Sequence, residues 1–190
     1  VSQKDNIFTI VDFRWIEGLN DDEYYKITVP KDTGIISTKL KASSGDISIS
    51  DIAMDGKIEI TSGRIELKNI EGNKLVLEAT SGDIKTQNVT GDDLTVGITS
   101  GSVVSEASSF KNTTIKATSG DIAFDALKTD NLKLDMTSGD ALINIQGKEQ
   151  DFDYKLDVTS GDVRIGNTVI DGGYSVNNGA ERKIEANITS

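Results

Sequence analysis

A Ser-Gly pair recurs along this chain at a nearly constant interval, and that constancy narrows the possible folds more than any other feature. The pairs are Ser44-Gly45, Ser62-Gly63, Ser81-Gly82, Ser100-Gly101, Ser119-Gly120, Ser138-Gly139 and Ser160-Gly161, separated by 18, 19, 19, 19, 19 and 22 residues. Five residues before each glycine stand Leu40, Ile58, Leu77, Val96, Ile115, Leu134 and Leu156, and three before it Ala42, Ile60, Ala79, Ile98, Ala117, Met136 and Val158. Two after it come Ile47, Ile65, Ile84, Val103, Ile122, Ala141 and Val163, and four after it Ile49, Leu67, Thr86, Ser105, Phe124, Ile143 and Ile165. Seven after it lie Ile52, Ile70, Val89 and, in a later copy, Leu127. Apolar and polar residues therefore alternate on both sides of each Ser-Gly, which is the pattern of two short strands with one buried face.

Two such strands cannot bury their apolar face alone. Stacking the copies turns each column into a continuous ladder and pairs every strand in parallel with its equivalents. An antiparallel meander with a hairpin at each Ser-Gly explains the alternation but has no reason to keep the period. A coil that must close at one length does. The expected fold is all-β: a single-domain parallel β-solenoid of seven to eight coils, right-handed by the usual crossover preference. Seven steps of ~4.8 Å make a rod roughly 34 Å long.

Three segments follow. Residues 38–168 carry the repeats. Residues 1–37 lie outside the period, hold Phe8, Phe13, Trp15, Tyr24, Tyr25 and the only proline, Pro30, and read as strands over 7–11 and 24–29. An open solenoid end exposes core and strand edges, so this aromatic segment is expected to be a cap. Residues 169–190 contain Asp171-Gly172-Gly173-Tyr174 and Asn177-Asn178-Gly179, turn signals that predict a loop and a last, incomplete coil ending at Thr189-Ser190.

Composition removes much chemistry. The 190 residues include no Cys and no His, which excludes thiol nucleophiles, Ser-His-Asp triads, disulfides and zinc sites of the usual ligand types. Thirty-one acidic against 20 basic residues give a charge of −11, which argues against a nucleic-acid partner. No stretch is long and apolar enough to span a bilayer as a helix. The chain opens on Val1 and closes partway into a copy, which points to an anchor or secretion signal beyond the given residues. A cytoplasmic protein is the alternative.

Two periodic rows suggest ligands. The residue after each glycine runs Asp46, Arg64, Asp83, Ser102, Asp121, Asp140, Asp162. Stacked carboxylates could hold Ca²⁺, but aspartate at a turn more simply accepts backbone N–H groups. Two before each glycine stands Ser43 and then Thr61, Thr80, Thr99, Thr118, Thr137, Thr159 and Thr189, a hydroxyl row that could contact ice but sits at a turn rather than on a flat double-column face. No metal, cofactor or catalytic residue is assigned. The outward columns Lys41, Glu59, Glu78, Gly97, Lys116, Asp135, Asp157 and Lys39, Lys57, Val76, Thr95, Thr114, Lys133, Lys155 read as solvated faces.

One outward column departs from this. Three after each glycine come Ser48, Glu66, Lys85, Val104, Ala123, Leu142 and Arg164. Val104, Ala123 and Leu142 form an apolar stripe over three coils, with Lys85 and Arg164 at its ends, and an exposed stripe of this kind marks a contact surface. A register shift or cover by the C-terminal segment would bury it instead. Tyr174 is the one candidate glycan contact.

The repeated Thr80-Ser81-Gly82-Asp83-Ile84 and Thr118-Ser119-Gly120-Asp121-Ile122, the lead-in Tyr25-Lys26-Ile27-Thr28-Val29-Pro30 and the closing Lys183-Ile184-Glu185-Ala186-Asn187-Ile188-Thr189-Ser190 resemble a bacterial family of β-strand-repeat domains that carries an adhesin label and no known function. Gly63-Arg64 and Gly101-Ser102 depart from the motif without disturbing the core columns. The resemblance implies a solenoid of parallel strands beside a membrane anchor or other envelope-directed segment, with some Gram-positive relatives tied to envelope stress. The expected function is a non-enzymatic envelope or cell-surface module that contacts a protein or envelope component. A glycan-binding or carbohydrate-active solenoid and a plain spacer are the alternatives.

Overall fold

The computed structural model describes residues 2–4, 7–9, 28, 34–159, 163–165, 168–170 and 172–189. Two short strands, β1 (Ser2–Lys4) and β2 (Ile7–Thr9), pair antiparallel at the start. The cap expected from Phe13, Trp15, Tyr24 and Tyr25 lies outside the described residues.

From Ile36 the repeats take over. Strands β3 (Ile36–Ala42), β4 (Ile47–Glu71), β5 (Lys74–Glu106), β6 (Ser109–Ser138) and β7 (Ala141–Ile145) follow one another, the longer ones running unbroken round the corners of the coil. Every pairing among them is parallel: Leu40 faces Ile58, Ile58 faces Leu77, Val96 faces Ile115, Val103 faces Ile122, and Ile122 faces Ala141. This is the β-solenoid, and it excludes the meander. The described residues make about six turns with a period near 19 residues, fewer than expected because Ser160-Gly161 falls outside them and the closing segment does not continue the stack.

Each coil has two walls that meet at the Ser-Gly corner. The first wall sends Ile58, Leu77, Val96, Ile115 and Leu134 inward, and the second sends Ile65, Ile84, Val103, Ile122 and Ile143, all buried in one core. Two columns that switch from apolar to hydroxyl residues stay inside. Thr86 donates to Ser105 at 2.8 Å and Ser105 lies 2.8 Å from Ser108, so the buried hydroxyls satisfy one another.

The corner opposite Ser-Gly, six residues after each glycine, is left-handed: Asp51, Asn69, Asn88, Ala107 and Ala126 have φ of 58°, 52°, 53°, 50° and 56°. Asn and Asp tolerate this region because their side chains bond locally. Here they also bond each other, Asn69 Nδ2 donating to Asp51 Oδ1 at 2.7 Å and Asn88 Nδ2 to Asn69 Oδ1 at 3.1 Å. The ladder stops at Ala107, whose Cβ bears the strain with no compensating bond. Ala107→Asn is expected to stabilise the fold by about 1 kcal/mol, read as a raised urea midpoint with an unchanged denaturant slope.

The C-terminal end breaks the sequence order. After a 3₁₀ turn at Glu149–Asp151 come β8 (Phe152–Val158), β9 (Val163–Ile165), β10 (Thr168–Ile170), β11 (Tyr174–Val176) and β12 (Arg182–Ile188). On the second wall, stacking continues directly, β9 on β7, and antiparallel β10 closes it. On the first wall, β12 lies between β6 and β8, parallel to both: Ile184 faces Leu132 on one side and Tyr154 on the other, and Ala186 faces Leu134 and Leu156. The closing segment, expected as the start of a further coil, fills the same columns but inserts one step earlier. The interval read as a loop thus carries short strands, with β11 antiparallel on the far edge of β8.

Candidate functional site

The stripe on the second wall is in register, with Val104 and Leu142 exposed and Ala123 between them half-buried. Val104 faces Ala123, Ala123 faces Leu142, and Leu142 faces Arg164 across successive strands. Val104 and Leu142 are 38% and 45% accessible, high values for large apolar side chains in so regular a sheet. The register irregularity between β6 and β7 falls between Phe124 and Leu127, beyond the stripe. Lys85, exposed, lies one coil before Val104.

Each flanking column carries two carboxylates beside the stripe, with Ser102 and Asn144 at the remaining positions. Exposed Asp121 and Asp140 line the edge nearest the Ser-Gly corner, and exposed Glu106 and Asp125 line the other. Glu106 faces Asp125 in register, and each accepts from a neighbouring amide: Gln87 Nε2 to Glu106 at 3.2 Å, Asn144 Nδ2 to Asp125 at 3.4 Å. The site is an apolar line between flanking carboxylates, open to solvent, with no cleft.

The turn aspartates cap backbone. Asp46 Oδ1 accepts the Arg64 N–H at 2.8 Å, Asp83 Oδ1 accepts the Ser102 N–H at 3.0 Å and its hydroxyl at 2.7 Å, and Asp121 Oδ1 accepts the Asp140 N–H at 3.3 Å. Each aspartate thereby ties its own coil to the next. Among the described residues no group of three or more acidic side chains is placed to hold a metal ion.

These bonds carry a pH signature. The Ser102 hydroxyl, then the Ser102 N–H, hold Asp83 below the usual carboxylate range. The Lys74 N–H does the same for Asp55, helped by Asn73. A depressed folded value means that the stabilisation is complete above the unfolded value of about 3.9 and disappears as pH falls through the lower folded value. The urea midpoint is therefore expected to fall as pH drops from about 5, and Asp83→Asn should flatten that decline. A decline as steep in Asp83→Asn as in the wild type would rule out this contribution.

The first wall carries the threonine row. Exposed Thr61, Thr80, Thr99, Thr118 and Thr137 edge a shallow trough of about 630 Å³ along the rod, with Glu59, Glu78, Lys116 and Asp135 opposite. Lys57 bridges Glu59 at 3.2 Å and Glu78 at 2.9 Å. Those carboxylates are spent on an ion pair, as expected of a solvated face.

Tyr174 is half-buried. Its ring meets Tyr154 edge-on at 6.0 Å, and its hydroxyl donates to Glu149 at 3.1 Å. It belongs to an aromatic cluster with Phe152 and Tyr154. Arg182, which no sequence pattern singled out, makes several polar contacts at this end. Its Nε and Nη2 donate to the Thr129 carbonyl at 3.2 and 2.5 Å, Nη2 reaches the Gln146 carbonyl at 3.3 Å, Nε lies 3.4 Å from Asp130, and the guanidinium sits 3.9 Å over the Phe152 ring. It fixes the start of β12 to the corner of the coil beside it.

The family model described as Toastrack DUF4097 matches residues 1–190. The chain belongs to this family. Toastrack DUF4097 is a domain of unknown function, so membership supports the repeat solenoid and assigns no active-site residue. No curated protein and no solved structure matched the chain. Among the described residues no helix is long and apolar enough to cross a membrane. What a Toastrack domain does must then be argued from its surface.

Proposed function

We propose that this domain is a non-enzymatic interaction module of the bacterial cell envelope, acting in adhesion or in envelope-stress signalling. The observation that carries the reading is the in-register apolar line of exposed Val104, half-buried Ala123 and exposed Leu142 between flanking carboxylates. Contiguous apolar surface on an otherwise charged scaffold costs solubility unless something covers it. Its partner is a protein segment with an apolar ridge between basic flanks, since the apolar line supplies affinity and the carboxylates steer and orient the approach. The envelope assignment rests on the family resemblance.

The absence of His and Cys and the mixed, ion-paired character of the other outward columns favour binding over catalysis. The packing of Tyr174 weighs against the glycan reading.

The test is capture from envelope extracts on immobilised domain. The wild type is expected to retain a partner that Val104→Asp and Leu142→Asp lose by about tenfold or more, with capture also weakened by high salt. Both positions are exposed, so the variants should fold as the wild type does. Retention unaffected by both substitutions would rule out the stripe, and no specific capture by the wild type would leave the domain a spacer.

A further inference from the structure

The first wall contains a strand that sequence order does not put there. β12 completes two parallel ladders at once, 183–188 with 131–136 of β6 and Arg182–Ile188 with Phe152–Val158 of β8. Without it, two strand edges would face each other across a gap one strand wide, with their N–H and C=O groups unpaired. The gap is specific in what it accepts. Ile184, Ala186 and Ile188 point into the core and are almost wholly buried, while Lys183, Glu185 and Asn187 point out, and the arginine at the start docks on Thr129, Gln146 and Phe152.

The tether is short and sits at the surface. From β11, on one edge of β8, residues 177–181 pass around the start of β8 to reach the gap on its other edge. Asp153 Oδ1 accepts the N–H groups of Asn178 at 2.7 Å and Ala180 at 3.1 Å, and Asn178 Nδ2 donates to the Phe152 carbonyl at 2.8 Å. Residues 177–179 are exposed, and Gly179, at φ 69°, gives the turn a conformation that other residues rarely adopt. Once β12 leaves its two ladders, these few bonds are what keep the tether against β8, and the earlier coils stay stacked because each coil depends only on its neighbours.

We propose that the gap between β6 and β8 is an exchange site that takes β12 from a second copy of this chain. An equivalent strand supplied in trans restores every ladder bond, every core contact and the arginine dock. The closed and exchanged forms then differ only in the tether and in concentration, the condition under which strands swap between identical chains. This is independent of the stripe on the second wall.

The chain has no cysteine, so single cysteines report the exchange cleanly. Lys133 and Glu185 are exposed and face each other across β6 and β12. Full-length Lys133→Cys and Glu185→Cys chains are mixed at high concentration just below the unfolding temperature, cooled and oxidised. A mixed covalent dimer is expected at a yield at least about tenfold above that of a control pair, Thr114→Cys with Glu185→Cys, whose first cysteine lies one coil earlier in the same outward column. Equal yields from the two pairs would overturn the proposal. Prior release of the tether by Asp153→Ala should raise the exchange rate, and a rate unchanged by it would also count against this route.

Discussion

Gly120→Ala is expected to cost the fold about 3 kcal/mol or more, enough to bring a small domain close to unfolding. Glycine at Ser-Gly would ordinarily be credited to its freedom at positive φ, and Gly63, Gly101 and Gly139 do have φ of 110°, 127° and 114°. Gly82 and Gly120 do not. What all five share is the coil beneath: a Cβ on Gly120 would run into the carbonyl oxygen of Gly101 and the Ile98 side chain, one on Gly101 into the Gly82 carbonyl, and one on Gly82 into the Gly63 carbonyl. The corner stacks backbone directly on backbone, and backbone cannot swing aside as a side chain can. Gly45 is the control. A Cβ there meets nothing within 4 Å, so Gly45→Ala carries only the strain of its φ of 100°, about 1 kcal/mol. Guanidinium unfolding of the two variants measures the difference. Equal losses would mean that turn conformation, not stacking, sets the need for glycine.

The second large effect is expected at Ile184→Asp. Ile184 is 1% accessible and lies between Leu132 and Tyr154. An unpaired carboxylate there adds the penalty of a buried charge to the lost apolar contact, together about 4 kcal/mol. The loss should be local. Hydrogen exchange is expected to become fast at 132–136, 152–158 and 182–188, while amides around Ile65, Ile84 and Val103 keep their protection, as nearest-neighbour stacking requires. Uniform loss of protection along the rod would show that its coils unfold as one unit.

The coil, its two walls and most of its core were legible because the columns repeat, so that each copy confirms the inward direction of the others. The same repetition concealed the place of β12. Its Ala186 and Ile188 fit the columns at any level of the stack, and alternation reports which face a residue takes, not which strand lies beside it. The three residues beyond the usual period after Ser138 and the longer interval from Ser160 to Ser190 were the traces of a disturbed step, and the 3₁₀ turn at Glu149–Asp151 falls in the first of these. The left-handed corner was readable in principle from Asp51, Asn69 and Asn88 at one offset, but Ala107 and Ala126 dilute it. Val104, Ala123 and Leu142 were found because an outward column turned apolar. The surroundings of Tyr174 were not legible: Tyr154 and Glu149, which its ring and hydroxyl meet, are distant in sequence.

The insertion of β12 also sets an order in time. During synthesis the early coils can stack as they emerge, each on the one before, since every contact they need has already been made. The coil containing β8 cannot settle on the first wall in the same way. Its neighbour there is translated later, so β8 must wait, with one edge open, until the chain has been extended through Ile188. Folding from one end therefore stalls at this step. During the stall the exposed edges of β6 and β8 are the part of the nascent protein most open to wrong partners.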